Sequence, residues 1–425
     1  MRSTQERNES SSLSFYFQVH QPRRIRHLGF FDIGKELSYF DDELNGRIMR
    51  HVAKNCYEPA NQMFLRLIKK FPQTRLTFSL SGVALEELKQ YAPAVVESFR
   101  ALAATGCVEF LGETYYHSLA GLYDSQEFVR QVELHRQAMK DTLGVNPIVF
   151  RNTELIYSDE IGWLVRNLGF AGIYADGVEK ILGRRSADHV YRHADDDDLR
   201  LFLRNYSLSD DIAFRFSDRG WKEWPLTPEK FTGWLEKNPS ADRLINLGLD
   251  YETFGEHQKA ATGIFTFMKK VVASVARSRR LRMVTPSEAM QVLPATDKLS
   301  VPVPVSWADK ERDLSAWLGN DLQRDAFDTM RSLVTKATEN GDSQALHSLC
   351  YLQTSDHFYY MSTKHGDDGR IHNYFSPYRS PYVAFIHYMN VLTDISLRLK
   401  KRRKVEIMRK REVLKRASLR EAITQ

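Results

Sequence analysis

The chain reads as an α/β protein in which a parallel sheet, open or closed into a barrel, is followed by a helical region. Three observations lead there. Short β-rich runs alternate with longer helical stretches over the first 290 residues. Several of those runs are continuously apolar, as strands covered on both faces are. Strand signals then stop after the Pro-rich stretch VPVPVSW at 301–307. Repeated βα units of this kind build parallel sheets.

Taken in order, LSFYFQV (13–19), RLTFSLS (75–81), VEFLG (108–112), PIVFR (147–151) and AGIYAD (171–176) read as strands. LFLRN (201–205), IAFRF (212–216), LINLGLD (244–250) and RMVT (282–285) continue the series. Helical periodicity fills the intervals, clearest over 58–70 and 125–143. Beyond the Pro-rich stretch the helical segments are 318–340, 343–353 and 382–420. The chain divides accordingly into a β/α unit over 1–300, a helical region over 301–397 and a basic tail over 398–425. No internal repeat is evident, and the run Asp195–Asp198 suits a solvated loop.

Composition narrows the class. The 425 residues are 42% hydrophobic and 27% charged, as in globular proteins, and a chain of this length buries a core of enzyme size. Cys56, Cys107 and Cys350 are scattered, with no CxxC pair, so a zinc ribbon or a disulfide framework is excluded. The first twelve residues lack the apolar segment of a secretory signal, and no apolar run nears the roughly 18 residues a bilayer span needs, so the expected compartment is the cytoplasm. The formal net charge is +6, yet twelve Lys and Arg residues between Arg398 and Arg420 face only Glu406 and Glu412. The basic balance belongs to the tail and the body is mildly acidic, which argues against nucleic acid as a partner.

Active sites of parallel α/β folds lie at the carboxyl ends of the strands. His20 ends the first strand, and Glu113 and His117 follow the third. Glu154 comes three residues after PIVFR, and Asp250 ends LINLGLD, followed by Glu252, Glu256 and His257. Two strand-end carboxylates far apart in sequence are what glycoside hydrolysis requires: a proton donor for the leaving oxygen, and a nucleophile or base. Trp221, Trp224 and Trp307 offer rings on which sugar faces stack. The same positions also suit carboxylates that cap helices or pair with Arg, and position alone does not separate these readings.

The strings HQP (20–22), FLGETYYHS (110–118), FRNTELIYSD (150–159) and LDYETFGEHQ (249–258) resemble the ordered motifs of glycoside hydrolase family 57. TPSEAMQVL (285–293) looks like the fifth motif, and SWADKERDLSAWLGN (306–320) and QTSDHFYYM (353–361) resemble stretches of the family's α-amylase members. The resemblance runs in order over roughly residues 13–390. It implies an incomplete (β/α)7 barrel followed by a C-terminal helical region that closes the active-site side. The implied activity is a retaining hydrolase of α-1,4-glucans, with Glu154 as nucleophile and Asp250 as general acid/base. Asp250 then starts the cycle protonated, through burial or the nearby Glu154 charge, and the two carboxyl groups are expected about 5–5.5 Å apart.

By the same resemblance His20 and Glu109 contact the sugar at the cleavage site, and His257 faces substrate. Glu113, His117, Trp221, Trp307, Asp356 and His357 complete the expected substrate-binding set, His357 standing where some relatives have tryptophan. Glu252 and Glu256 compete with Asp250 for the acid role; on an extended chain Glu252 points away. His20, His117, His257 and Asp250 also make a metal reading, but no HxxxH pair accompanies the aspartates, so neither metal nor other cofactor is expected. The expected partner is an α-glucan or maltooligosaccharide. A 4-α-glucanotransferase would use the same residues, and an inactive glucan-binding relative would lack one carboxylate; both are present here.

Overall fold

A computed structural model of the chain describes residues 10–35, 38–364 and 376–424, with side chains to 402. Seven parallel strands form a ring. They are β1 (Ser11–Val19), β2 (Leu76–Leu80), β3 (Val108–Leu111), β4 (Val149–Arg151), β5 (Gly172–Asp176), β7 (Arg200–Arg204) and β8 (Leu244–Asp250). β1 lies in register between β2 and β8, from Ser12 opposite Leu244 to Gln18 opposite Asp250. Two seams are thin. β3 meets β4 only through Gly112, whose amide and carbonyl bond Val149 and Arg151 at 2.9 and 2.8 Å. β7 meets β8 at the single pair Arg204–Asn246. The incomplete (β/α)7 barrel is therefore a ring with two weakly laddered joints.

Period-2 alternation fills this ring from both sides. Leu13, Phe15, Phe17 and Val19 of β1 pack outward under helices such as Glu58–Lys70 and Ile264–Arg277. Burying each Phe contributes about 1.5–3 kcal/mol. Ser14, Tyr16 and Gln18 turn inward, where the Tyr16 and Tyr174 rings meet at 4.5 Å. On β8 the outward set is Ile245, Leu247 and Leu249, and the inward set ends at Asp250. Gly248 is required there, because a Cβ would lie 2.1 Å from Tyr16 Cζ.

Three short strands lie outside the ring: β6 (Val190–His193), antiparallel to β7; β9 (Leu281–Met283), beside β1; and β10 (Lys298–Leu299), beside β6. β6 and β10 escaped sequence reading, because both are short and half-polar. The expected strand 212–216 is corrected. Tyr206–Ala213 is a helix capped by Asn205, whose side chain accepts from the Leu208 amide, and Ile212 is one of its buried positions. A five-residue apolar run fits either period, and here the cap decides.

After β10 come the helices Asp321–Glu339, Ser343–Leu352, Ser355–Tyr359 and Pro381–Thr424, around a core containing Trp317, Phe358, Tyr388 and Val391. The backbone of the basic tail continues the last helix, and its side chains beyond 402 lie outside the described residues, as do residues 1–9. The Asp195–Asp198 run is a loop held by Arg166 through Asp196 and Asp198, each at 3.1 Å. No described helix is long and apolar enough to cross a membrane.

Candidate active site

At the carboxyl ends of the strands a cleft of about 990 Å³, open solvent included, gathers residues from the whole length of the chain. His20, His117, Glu154, Asp250 and His257 line it, with Trp307 and Asp356 arriving from beyond β10.

Glu154 sits in a turn after β4 with φ 56°, followed by Leu155 at 51°. Two consecutive left-handed non-glycine residues cost roughly 1–2 kcal/mol each. The turn is held by Asn152 Nδ2 donating to the Ile156 carbonyl at 2.9 Å and by burial of Leu155. The strained backbone aims the carboxylate into the cleft. Its Oε1 accepts from Ser355 Oγ at 2.8 Å and its Oε2 from the Trp307 indole N–H at 2.8 Å.

His117, another left-handed residue at φ 50°, lies 3.7 Å from the same carboxylate and bonds Glu113 through Nδ1 at 2.9 Å. Burial lowers its pKa, but the hydrogen bonds to Glu113 and Glu154 outweigh that and raise it to about 9. His117 is therefore a cation at neutral pH. Burial opposes ionisation of Glu113, but the His117 hydrogen bond and charge prevail and hold its carboxyl down near 2. His20 stacks on His117 with centroids 4.0 Å apart, and burial and that neighbouring cation depress its pKa. As a neutral ring His20 donates from Nε2 to Asp356 at 3.0 Å and accepts from Ser81 at Nδ1, 2.7 Å away.

Beneath these groups lies a buried ion network. Arg204 bonds Asp176 at 3.2 Å and Asp210 at 2.5 Å, and Arg312 reaches the same two aspartates, each at 3.1 Å. Arg312 also donates to the Trp307 carbonyl within its own segment, and its bonds to Asp176 and Asp210 tie that segment to the barrel.

Several expected positions need correction. Glu109 lies near the amino end of β3, opposite the cleft, and accepts from the Ser287 amide and hydroxyl at 3.0 and 2.6 Å. The motif resemblance that singled it out does not specify its depth along the barrel. Glu113 is fully buried behind His117, bonded by Gln18 and Ser79. Trp221 is not among the cleft-lining residues. It packs on Trp234 with ring centroids 6.2 Å apart, and Phe214 lines the cleft instead. His357 points into the helical core near Tyr388, about one helical step from Asp356. Trp307 borders the cleft, donates its indole N–H to Glu154, and has the Arg151 and Arg204 guanidinium groups over its ring at 4.6 and 5.5 Å. Glu252 does not point away: Tyr251–Thr253 is a 3-10 turn, and Glu252 lines the cleft with Asp250.

Sequence reading missed Arg24, Arg204, Asp210, Tyr359 and Ser355. Arg204 ends β7 on the inward face, the same signal that marks Asp250, and Ser355 stands beside Asp356. Among the described residues no group of three or more His, Cys, Asp or Glu side chains is placed to hold a metal ion.

A ring of parallel strands with a carboxylate-lined cleft at its carboxyl ends, roofed by residues from a following helical segment, defines an α/β-barrel protein. Residues 14–302 match glycosyl hydrolase family 57, and the chain belongs to that family. It is 39% identical over 408 residues to the protein named "Putative alpha-amylase" from Methanocaldococcus jannaschii, covering 91% of this chain and 85% of that one. Among solved structures it resembles the branching enzyme of Thermococcus kodakaraensis, with a TM-score of 0.62 and 15% identity over 89% of this chain and 88% of that one. The α-amylase AmyC of Thermotoga maritima gives a TM-score of 0.61 at 13% identity, over 91% and 94% of the two chains. The 4-α-glucanotransferase of Thermococcus litoralis gives 0.63 at 16% identity; the likeness covers 82% of this chain and 56% of that longer one. At these identities the structures speak for the fold.

Proposed function

We propose that the protein is a retaining hydrolase of α-1,4-glucans, of α-amylase type, with Glu154 as nucleophile and Asp250 as general acid/base. The observation that carries this is the convergence of Glu154, from the turn after β4, and Asp250, at the end of β8, on one cleft. Ser355 and Trp307 leave Glu154 little rotational freedom, and the His117 cation faces its charge. Glu154 attacks the anomeric carbon as Asp250 protonates the leaving oxygen. Asp250 then takes a proton from the water that cleaves the glycosyl ester. The helical segment after β10 belongs to the working site through Trp307, Ser355 and Asp356, and the substrate is a maltooligosaccharide or longer α-glucan.

The test is product analysis on maltoheptaose with Glu154→Gln alongside. Shorter maltooligosaccharides with new reducing ends are expected from the wild type. The variant, which keeps the shape and removes the charge, should lose about 10³-fold or more in turnover. A ladder above the starting length without new reducing ends would instead make the protein a glucanotransferase. A folded Glu154→Gln with near wild-type turnover would remove Glu154 from the nucleophile role.

A further inference from the structure

The helix entering the barrel after β1 is interrupted. Asp42–Val52 and Glu58–Lys70 are joined by Ala53–Tyr57 in the wider π turn. Pro59 supplies the cause: it has no amide hydrogen for the carbonyl four residues back, that of Asn55, and its ring crowds that group. Single π turns of this kind are frequent at functional sites.

The turn meets the loop that follows Asp250. The Asn55 carbonyl oxygen fills the space of a Cβ on Gly255, 2.1 Å away, where φ is 117°. The Cys56 thiol donates to the Tyr251 carbonyl at 3.1 Å. The Tyr57 hydroxyl donates to Glu252 Oε1, and its ring stacks on Tyr251 at 5.9 Å with planes 10° apart. The double displacement assigns none of these groups a task.

Glu252 is buried and lines the cleft two residues beyond Asp250. The groups facing it are Asp250 and Tyr251 on its own turn, Cys56 and Tyr57 from the π turn, and Gln21 at 3.4 Å, itself held by Arg24 at 2.9 Å. Burial foremost, and the Asp250 charge whenever that carboxyl is ionised, push its carboxyl up to about 8. It is therefore uncharged at neutral pH. Tyr57 and Gln21 both donate to Oε1, which leaves the proton on Oε2.

We propose that Tyr57 and Glu252 are positioning residues for Asp250, and that the π turn exists to bring Tyr57 to Glu252. The uncharged Glu252 carboxyl, clamped by Tyr57 and Gln21, anchors the turn on which Asp250 delivers its proton. This inference rests on the reading of Asp250 as the acid/base.

The experiment compares Tyr57→Phe, Glu252→Gln, Glu252→Ala and Asp250→Asn in the full chain. The substrates are maltoheptaose and an aryl α-maltooligoside whose phenolate leaves without protonation. Tyr57→Phe should lower kcat on maltoheptaose about tenfold, the worth of one hydrogen bond, with KM within about twofold. On the aryl glycoside the loss in the first step should be clearly smaller. Glu252→Gln, uncharged and still an acceptor for Tyr57, should lose less at pH 6 than Glu252→Ala and lack the ionisation near pH 8 in its rate profile. Equal losses on both substrates, or an unchanged profile in Glu252→Gln, would overturn the proposal. If Tyr57→Phe does not fold, the Glu252→Gln profile decides. Asp250→Asn separates the levels. Without leaving-group dependence in that variant the acid/base reading falls; with it there and absent in Tyr57→Phe, this inference alone falls.

Discussion

Glu154 and Trp307 come from segments about 150 residues apart and share two hydrogen bonds, the Trp307 amide to the Glu154 carbonyl at 3.3 Å and the indole N–H to the carboxylate at 2.8 Å. A neutral donor to a carboxylate is worth about 1.5–3 kcal/mol. Trp307→Phe keeps the ring beneath the Arg151 and Arg204 guanidinium groups and removes only the N–H. It should lower kcat by about 10- to 100-fold while far-UV circular dichroism stays unchanged. Full activity would show that Ser355 and His117 hold Glu154 without it. Asp250→Asn should slow both steps of the double displacement, the first one least on substrates with good leaving groups. Comparing initial bursts on aryl glycosides and maltodextrins measures this, and equal losses would contradict the acid assignment. At this scale the strand-end position after LINLGLD already marks Asp250. Glu154 is marked by its place three residues after PIVFR, but its left-handed turn, which has no glycine, is not legible, and its role as nucleophile comes from the motif resemblance.

The strands show how far one element constrains its neighbour. β1 and β8 pair along seven residues, and the Tyr16 ring occupies the volume beside Gly248. Gly248→Ala puts a methyl group into a filled interior, so it should destabilise the protein by about 1–3 kcal/mol. Thermal denaturation reads this, and an unchanged Tm would mean that the Tyr16 ring moves aside without cost. The helix of 58–70 was legible to the residue, because its apolar spacing and Pro59 near the start are both local signals. The π turn before it was not, since the wider turn shows only in how the backbone carbonyls are met. The run 212–216 was misread because five residues do not distinguish the two periods, whereas Asn205 capping a helix does.

The molecule as a whole carries a buried charge balance. His117 and Glu113 form an ion pair that burial opposes and their mutual hydrogen bond restores. The His117 pKa is raised in the folded state to about 9, above the ordinary 6.5 of the unfolded chain. Its contribution to stability is thus complete below about pH 6.5 and is lost as pH rises through 9. Tm measured from pH 6 to 10 should fall across this window, and the fall should shrink in His117→Gln. An unchanged slope in that variant would place the titrating group elsewhere. The Arg204–Asp176–Arg312–Asp210 network couples the barrel to the segment after β10, so the site is shared between two regions that composition alone separates.

Apart from the short β6 and β10 and the helix of 206–213, the order of strands and helices and the strand ends that hold His20 and Asp250 were readable along the chain. Each follows from a period of 2 or 3.6 residues, a cap or a proline, which act between neighbours. Depth and contact were not readable. Glu109 and Glu113 share one face of one strand register, yet the first caps a helix at the far end of the barrel and the second backs His117. Asp356 enters the cleft while His357 turns into the helical core. Whether a carboxylate at a strand end caps, pairs or faces substrate depends on what the rest of the chain packs against it. That packing is set by ring closure and by helices more than a hundred residues away.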